Sequence, residues 1–424
     1  MSATPPHDRL AHGTPREQHP AAGLRSLPLL LVAAAMLTPL LLSLVLVGGR
    51  IAGSHGALAE YLEQLHALPL KGMENRAATP AWSVAKLFSG AWQAETEAWW
   101  NSRLSLRAPI VRLTNQAYYS WLDKSYMYAG NIVVGRNQAL FEKAYIQRYC
   151  NWDRVAFAAP AFEAWAGRLK AMQDFFTERG QRFVYLISPS KAAFEPHNFP
   201  VGTPCPGPHR PEYGLALAAL KRAGVRHVDG SLLLAQDRQR LPAELLFARG
   251  GTHWTALGAG LTMRELLRVA AELPGTPLPE LDLRYRVSHE PLEQDRDLLN
   301  LLNLRHPDTA YPSPVVDMQG RGVPGGRLPG VAIVGTSFMH EPSLLLERSS
   351  SFSSIDFYYY FSLDHMRFGN GQNASPIGGG NPPGNYHALR AADLVIVEEN
   401  EAAPNSQHLR LLLENLGLAD QGHK

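Results

Sequence analysis

Cysteine is almost absent from this chain of 424 residues: only Cys150 and Cys205 occur. Neither lies in a CxxC or beside a CxxxH, so a thiolate zinc site is excluded. In an oxidising compartment the two are candidates for one disulfide; sequence alone leaves two separate thiols equally open. Excess charge is missing as well. Forty Lys and Arg against 38 Asp and Glu leave a net +2, without the basic surplus of a nucleic-acid binder. The histidines His197, His340, His365 and His387 show no HxxxH spacing, so no metal is expected. The glycine-rich stretch 369–385 has no strand and lysine arranged around it as a phosphate loop requires. The G-x-S-x-G elbow of α/β-hydrolases is absent, and no internal repeat is evident. Only one uncharged apolar run reaches 18 residues, so the chain crosses a membrane at most once.

That run is 27–49, 23 residues without a charge. At about 1.5 Å per residue it spans the roughly 30 Å of a hydrocarbon core. It is longer than the apolar core of a cleaved signal, which favours a retained anchor. Arg9, Arg16 and Arg25 precede it, while Arg50 alone follows closely. The positive-inside rule therefore puts 1–26 in the cytoplasm, as a disordered tail, and everything after the anchor outside.

Residues 50–130 read as a helical, membrane-proximal segment rich in Trp and Tyr. The remainder, 131–424, reads differently. Ile132–Val134 is a short strand ending at Gly135. Phe162, Trp165, Leu169, Met172 and Phe176 recur at helical spacing and stop at Gly180. Further strands are expected over 183–187, up to Val228, over 331–334 and over 394–397. Helices are expected over 215–223 and 256–272. Short apolar strands alternating with helices predict an α/β sandwich with a mainly parallel sheet. In such sheets the site lies at the carboxyl ends of the strands.

Two stretches carry candidate chemistry. In the first, the apolar strand 331–334 runs into Gly335-Thr336-Ser337-Phe338, placing a hydroxyl at a strand's carboxyl end beside backbone N–H groups. In the second, Gly250-Gly251-Thr252-His253-Trp254-Thr255 opens the helix starting near Ala256, with Thr255 as its N-cap. A serine nucleophile needs a base to take its proton, and an imidazole titrates in the right range. Taken singly, Ser337 also fits a helix cap and His253 a packed core histidine. Lys191, at the end of the strand 183–187, is a weaker candidate for contacting an anionic group.

The ordered pair Thr252-His253-Trp254 and Gly335-Thr336-Ser337-Phe338 resembles the AlgJ/AlgX-type alginate O-acetyltransferase family. Val134-Gly135-Arg136-Asn137-Gln138-Ala139-Leu140-Phe141, Leu106-Arg107 and Pro189-Ser190-Lys191 match that family in the same order. The resemblance implies an SGNH-hydrolase-like three-layer sandwich, preceded here by one transmembrane helix and a helical membrane-proximal segment. It implies a periplasmic domain held at the bacterial inner membrane and acetyl transfer to exopolysaccharide hydroxyls. Ser337 would be the nucleophile and His253 the base, with no cofactor. The implied partners are a membrane-bound O-acyltransferase supplying acetyl groups and the polysaccharide acceptor. Arg367 and Tyr386 fall where the family places an Arg and a Tyr that position substrate. One departure stands out: the family's acid, two residues before the histidine, is Gly251. Another acid (Asp229, Glu195 or Asp364) would replace it, or the site would run as a dyad, or the chain would be a non-catalytic scaffold or glycan-binding subunit. A polysaccharide deacetylase would use the same pair with water.

Overall fold

In the computed structural model the described residues are 69–72, 77–102, 107–126, 131–153, 158–206, 209–321, 326–360, 364–369, 372–376 and 387–418, with Leu37 and Leu41. The chain divides into two units, 1–110 and 111–424. Among the described residues no helix is long and apolar enough to cross a membrane. The expected anchor at 27–49 lies outside them apart from Leu37 and Leu41, both helical. The first unit carries the helices Val84–Phe88 and Ala91–Asn101. Gly90, at φ +77°, turns the chain between them, and Lys86 pairs with Glu95 at 2.7 Å.

The second unit is organised by a seven-stranded sheet. Its strands are β3 (Arg182–Ser188), β4 (His227–Asp229), β7 (Gly330–Gly335), β8 (Ser354–Tyr359), β9 (Asp364–Gly369), β10 (Gln372–Pro376) and β11 (Leu394–Asn400). Their order across the sheet is β10-β9-β8-β7-β11-β3-β4. The five strands β8 to β4 run parallel, and β9 and β10 add an antiparallel edge. This edge was not expected: 372–376, inside the glycine-rich stretch 369–385, pairs with β9 as a strand. Two hairpins stand apart from this sheet, β1 (Ile132–Val134) with β2 (Leu140–Glu142), and β5 (Glu280–Ser288) with β6 (Ser313–Arg321).

The central strands are apolar on both faces, as burial between two helical layers requires. Alternation assigns each residue to a layer. Val184, Leu186, Ile333 and Ile396 face a core shared with the helices Ala256–Ala271 and His340–Arg348. Phe183, Tyr185, Val334 and Val397 face a core shared with Ala159–Thr177, Pro211–Ala223 and Gln407–Leu416. Thr255 caps Ala256–Ala271 by accepting from the Gly258 N–H, and Gly224, at φ +69°, closes Pro211–Ala223. The result is a three-layer α/β sandwich. Cys150 and Cys205 form a disulfide with Cα atoms 4.4 Å apart, settling the question the sequence left open.

Candidate active site

Ser337 opens a short 3-10 turn, Ser337–Met339, directly after β7. The turn is held from below by Glu398, the fifth residue of β11. This carboxylate is fully buried and accepts from the Thr336 N–H at 2.7 Å, the Thr336 hydroxyl at 2.9 Å and the Ser188 hydroxyl. Burial pushes its carboxyl upward from the usual range, opposed by those hydrogen bonds. Gly335 has no room for a side chain, because a Cβ there would lie 2.7 Å from Glu398 Oε2 and 2.8 Å from Met339 Cγ.

His253 arrives from the opposite side on the loop that starts Ala256–Ala271. Its Nε2 lies 2.8 Å from Ser337 Oγ. Trp254 Nε1 donates to the Phe338 carbonyl at 3.0 Å, tying this loop to the serine turn, and the His253 ring stands edge-on to Phe338. The buried Lys191 fixes the loop itself. Its ammonium donates to the carbonyls of Ala248, Arg249 and Gly251 at 2.6, 2.8 and 2.9 Å. Three protons on three carbonyls leave none for a substrate anion, so Lys191 is a loop anchor and not the anion contact expected. Burial pushes its pKa down to about 8.

The acid is Asp297. Its Oδ2 lies 2.6 Å from His253 Nδ1. Its Oδ1 accepts from the backbone N–H of Thr252 at 2.9 Å and of Leu298 at 2.6 Å. The Leu299 N–H donates to the Gly250 carbonyl at 2.9 Å, binding the helix Asp297–Leu301 to the histidine loop. None of the acids proposed from sequence fills this place. Asp229 caps the helix Gly230–Asp237 and accepts from the Tyr213 hydroxyl; Glu195 accepts from Asn198; the Asp364 side chain lies outside the described residues. At Gly251 a Cβ would sit 3.1 Å from the carbonyl oxygens of both Gln294 and Asp295. The segment that delivers Asp297 thus crowds the space an acid at 251 would need. Asp297 lies 44 residues after the histidine, and its only sequence signal is an acidic run, Glu293 to Asp297, before a short apolar helix.

Sequence reasoning also missed Tyr360. It follows β8, and its hydroxyl faces Ser337. Its backbone adopts φ +42°, unusual for a non-glycine residue, and its N–H donates to the Gly335 carbonyl at 2.9 Å. Arg367, on β9, pairs through Nε with Asp356 at 2.8 Å, where His365 also binds. Tyr386 lies outside the described residues. No group of three His, Cys, Asp or Glu suited to a metal occurs among the described residues.

Fold and site together define an α/β sandwich with a serine–histidine–aspartate constellation at the carboxyl edge of its sheet. The chain belongs to the family described as the SGNH hydrolase-like domain of the acetyltransferase AlgX, whose profile matches residues 132–348, just over half of it. Among solved structures it is similar to the O-acetyltransferase domain of Pseudomonas putida AlgJ, at 21% identity and a TM-score of 0.41, covering 64% of this chain and 91% of that one. It is similar to Pseudomonas aeruginosa AlgX at 15% identity and a TM-score of 0.44, covering 73% and 72%. Bacillus cereus PatB1 with a sulfonyl adduct is a further likeness, at 9% identity and a TM-score of 0.39, covering 60% and 94%. No curated protein sequence matches the chain.

Proposed function

We propose that this chain transfers acetyl groups to hydroxyls of an exopolysaccharide through an acyl-enzyme on Ser337. The observation that carries this reading is the single imidazole bridging Ser337 Oγ and Asp297 Oδ2. With Nδ1–H donating to Asp297, Nε2 keeps a lone pair for the serine proton. Ser337 Oγ attacks the donor's acyl carbonyl while Nε2 takes that proton. The Asp297 carboxylate stabilises the imidazolium that forms. The first N–H groups of a helical turn have no partner within it, so the Ser337 N–H is available to the developing oxyanion. Collapse expels the donor's leaving group, which takes the proton from Nε2. A sugar hydroxyl then gives its proton to Nε2 and attacks the ester carbonyl. Ser337 leaves and recovers the proton, and the acetyl group rests on the sugar.

The apolar run at 27–49 and its basic leading flank support a single-pass inner-membrane anchor with a cytoplasmic N-terminus and a periplasmic domain. The disulfide supports the same side, because such bonds persist in oxidising compartments. A membrane-bound O-acyltransferase is the partner we assign to acetyl supply, since an anchored domain stays beside a donor in the bilayer. The scaffold reading drew its force from Gly251, and Asp297 removes that force. The test is acetate release from a chromogenic acetyl ester by the full chain, with mass detection of an acetyl adduct on Ser337. Both are expected to vanish in Ser337→Ala. Hydrolysis surviving that substitution sinks the proposal, and release with no transfer to any glycan favours the deacetylase.

A further inference from the structure

A lysine is almost never buried without partners that hold its charge, and Lys191 is 3% exposed. It opens the short helix Lys191–Phe194, which follows β3 at the carboxyl edge of the sheet. Its three carbonyl partners on the histidine loop are not equivalent. The Ala248 carbonyl also accepts from the Gly251 N–H at 3.3 Å, and the Arg249 carbonyl from the Leu140 N–H at 2.9 Å. The Gly251 carbonyl has no donor but Lys191 among the described residues. That carbonyl belongs to the peptide group joining Gly251 to Thr252. The other end of the same group, the Thr252 N–H, donates to Asp297 Oδ1 at 2.9 Å. One rigid plane is thus gripped by the ammonium at its oxygen and by Asp297 at its nitrogen, and His253 is the next residue along the chain.

An ammonium satisfies three carbonyls; a neutral amine, with two protons and a lone pair, does not. The Gly251 carbonyl has the most to lose, because nothing else donates to it. Turning its peptide toward another donor takes the Thr252 N–H away from Asp297. Asp297 Oδ1 then keeps only the Leu298 N–H, and the hold of Oδ2 on His253 Nδ1 loosens with it. The surroundings bring this change within reach of ordinary pH. Burial disfavours the charge most. Glu195, at the end of the same short helix, and Asp297 favour it, Arg249 on the loop opposes it, and Asp295 favours it. The Phe141 ring of β2, 5.3 Å from the ammonium nitrogen, adds no charge. The outcome is a pKa pushed down to about 8.

We infer that Lys191 is a positioning residue for the His253–Asp297 pair, acting through the Gly251–Thr252 peptide, and that the site works only while this lysine is an ammonium. The inference rests on the proposed activity for its kinetic readout, and on the His253 ring alone for a second one. The transfer then has an alkaline limit, besides the acid limit set by a base that must be neutral. Loss of activity at that limit is not unfolding. Between about 8 and the ordinary 10.5 the unfolded chain keeps the lysine proton while the fold releases it, so at this residue rising pH favours the fold.

The experiment follows hydrolysis of the chromogenic acetyl ester by the full chain from about pH 6 to about pH 9.5, with the denaturant midpoint measured over the same range. The parent is expected to lose kcat on the alkaline side with a midpoint near 8, while KM stays level and the denaturant midpoint does not fall. Lys191→Met keeps the length of the side chain without the ammonium. It should lower kcat about a hundredfold already at neutral pH, the order that about 1 Å of misplacement costs, and leave no alkaline limb. Lys191→Arg keeps a charge that does not titrate in this range and should move the limb beyond it. Nitrogen NMR of His253 reads the same change without turnover: Nδ1 should shift along the parent's alkaline limb and stay put in Lys191→Arg. A level parent profile, a kcat in Lys191→Met equal to the parent's, an alkaline limb that survives in Lys191→Met, or a loss of kcat that tracks a falling denaturant midpoint would each overturn the inference. If neither variant folds, the parent's profile, midpoint and Nδ1 shift decide it. If no ester is turned over but Nδ1 shifts as expected, the proposed activity fails and the positioning role stands.

Discussion

Replacing Asp297 by Asn tests the candidate site at its least expected member. The Asp297 Oδ1 position receives two backbone N–H groups, from Thr252 and Leu298, while Oδ2 faces His253 Nδ1. An Asn side chain has one oxygen and one NH2 to offer these two places. Turning the NH2 toward the two N–H groups sets donor against donors and loses two hydrogen bonds, at roughly 1–3 kcal/mol each. The oxygen therefore stays with the backbone and the NH2 points at His253 Nδ1. That nitrogen must then accept, the ring proton moves to Nε2, and the base presents N–H to a hydroxyl it should deprotonate. In a serine protease the equivalent Asp→Asn change lowers turnover about 10⁴-fold, which is about 5.5 kcal/mol of activation free energy. A loss of that order is expected in ester hydrolysis here. Asp297→Ala imposes no tautomer and should lose less than Asn. Nitrogen NMR of His253 in the Asn variant should find the proton on Nε2. Turnover within tenfold of the parent, or a proton remaining on Nδ1, would refute the reasoning.

Gly251→Asp restores the family's usual acid in sequence but meets the Gln294 and Asp295 carbonyls at 3.1 Å. We expect no gain in turnover and a stability loss of roughly 1–3 kcal/mol, read by urea unfolding. Asp295, whose carboxyl burial lifts from 3.8 to about 6, keeps one oxygen unpartnered. Because the folded state holds this proton more tightly, stability falls as pH rises from about 4 to 6, with the full cost present above 6. Asp295→Asn should accordingly stabilise the fold at pH 7, by at most about 3 kcal/mol, and give no benefit near pH 3.5; equal effects at both pH values would contradict this. Removing the disulfide by Cys150→Ser with Cys205→Ser opens a loop of 55 residues. Chain entropy alone puts the cost at about 4 kcal/mol, measurable as a lowered denaturant midpoint.

The layers of this fold were legible because their signals are local. Apolar runs at 183–187, 331–334 and 394–397 became β3, β7 and β11, and Gly180 and Gly224 end helices at φ +74° and +69°. Thr255 caps the helix its position announced. The antiparallel edge was hidden because β10, QNASP, carries the composition of a loop and is held as a strand by pairing with β9. Lys191 misled for a related reason. A lysine at a strand end has the same sequence whether it reaches solvent or, as here, turns inward to three loop carbonyls.

The acid escaped for a different physical reason. A nucleophile must meet a backbone donor at a strand's carboxyl end, and a base must stand where its Nε2 reaches that hydroxyl. Both demands are met by particular loops of this sheet, so Ser337 and His253 sit in motifs. The acid has one requirement, a carboxylate oxygen at Nδ1, with Oδ1 anchored by whatever N–H groups lie nearby. Any segment that passes the ring can supply it. Here the helix Asp297–Leu301 does so, fastened through Leu299 to Gly250 and through Asp297 to Thr252. Its own approach crowds position 251, since a side chain there would press on the Gln294 and Asp295 carbonyls at 3.1 Å. The residue that looked like a lost acid is thus the clearance that lets the acid arrive from elsewhere. Gly251 and Asp297 are two sides of one packing arrangement, and a single-site reversion at 251 is expected to crowd the site instead of repairing it.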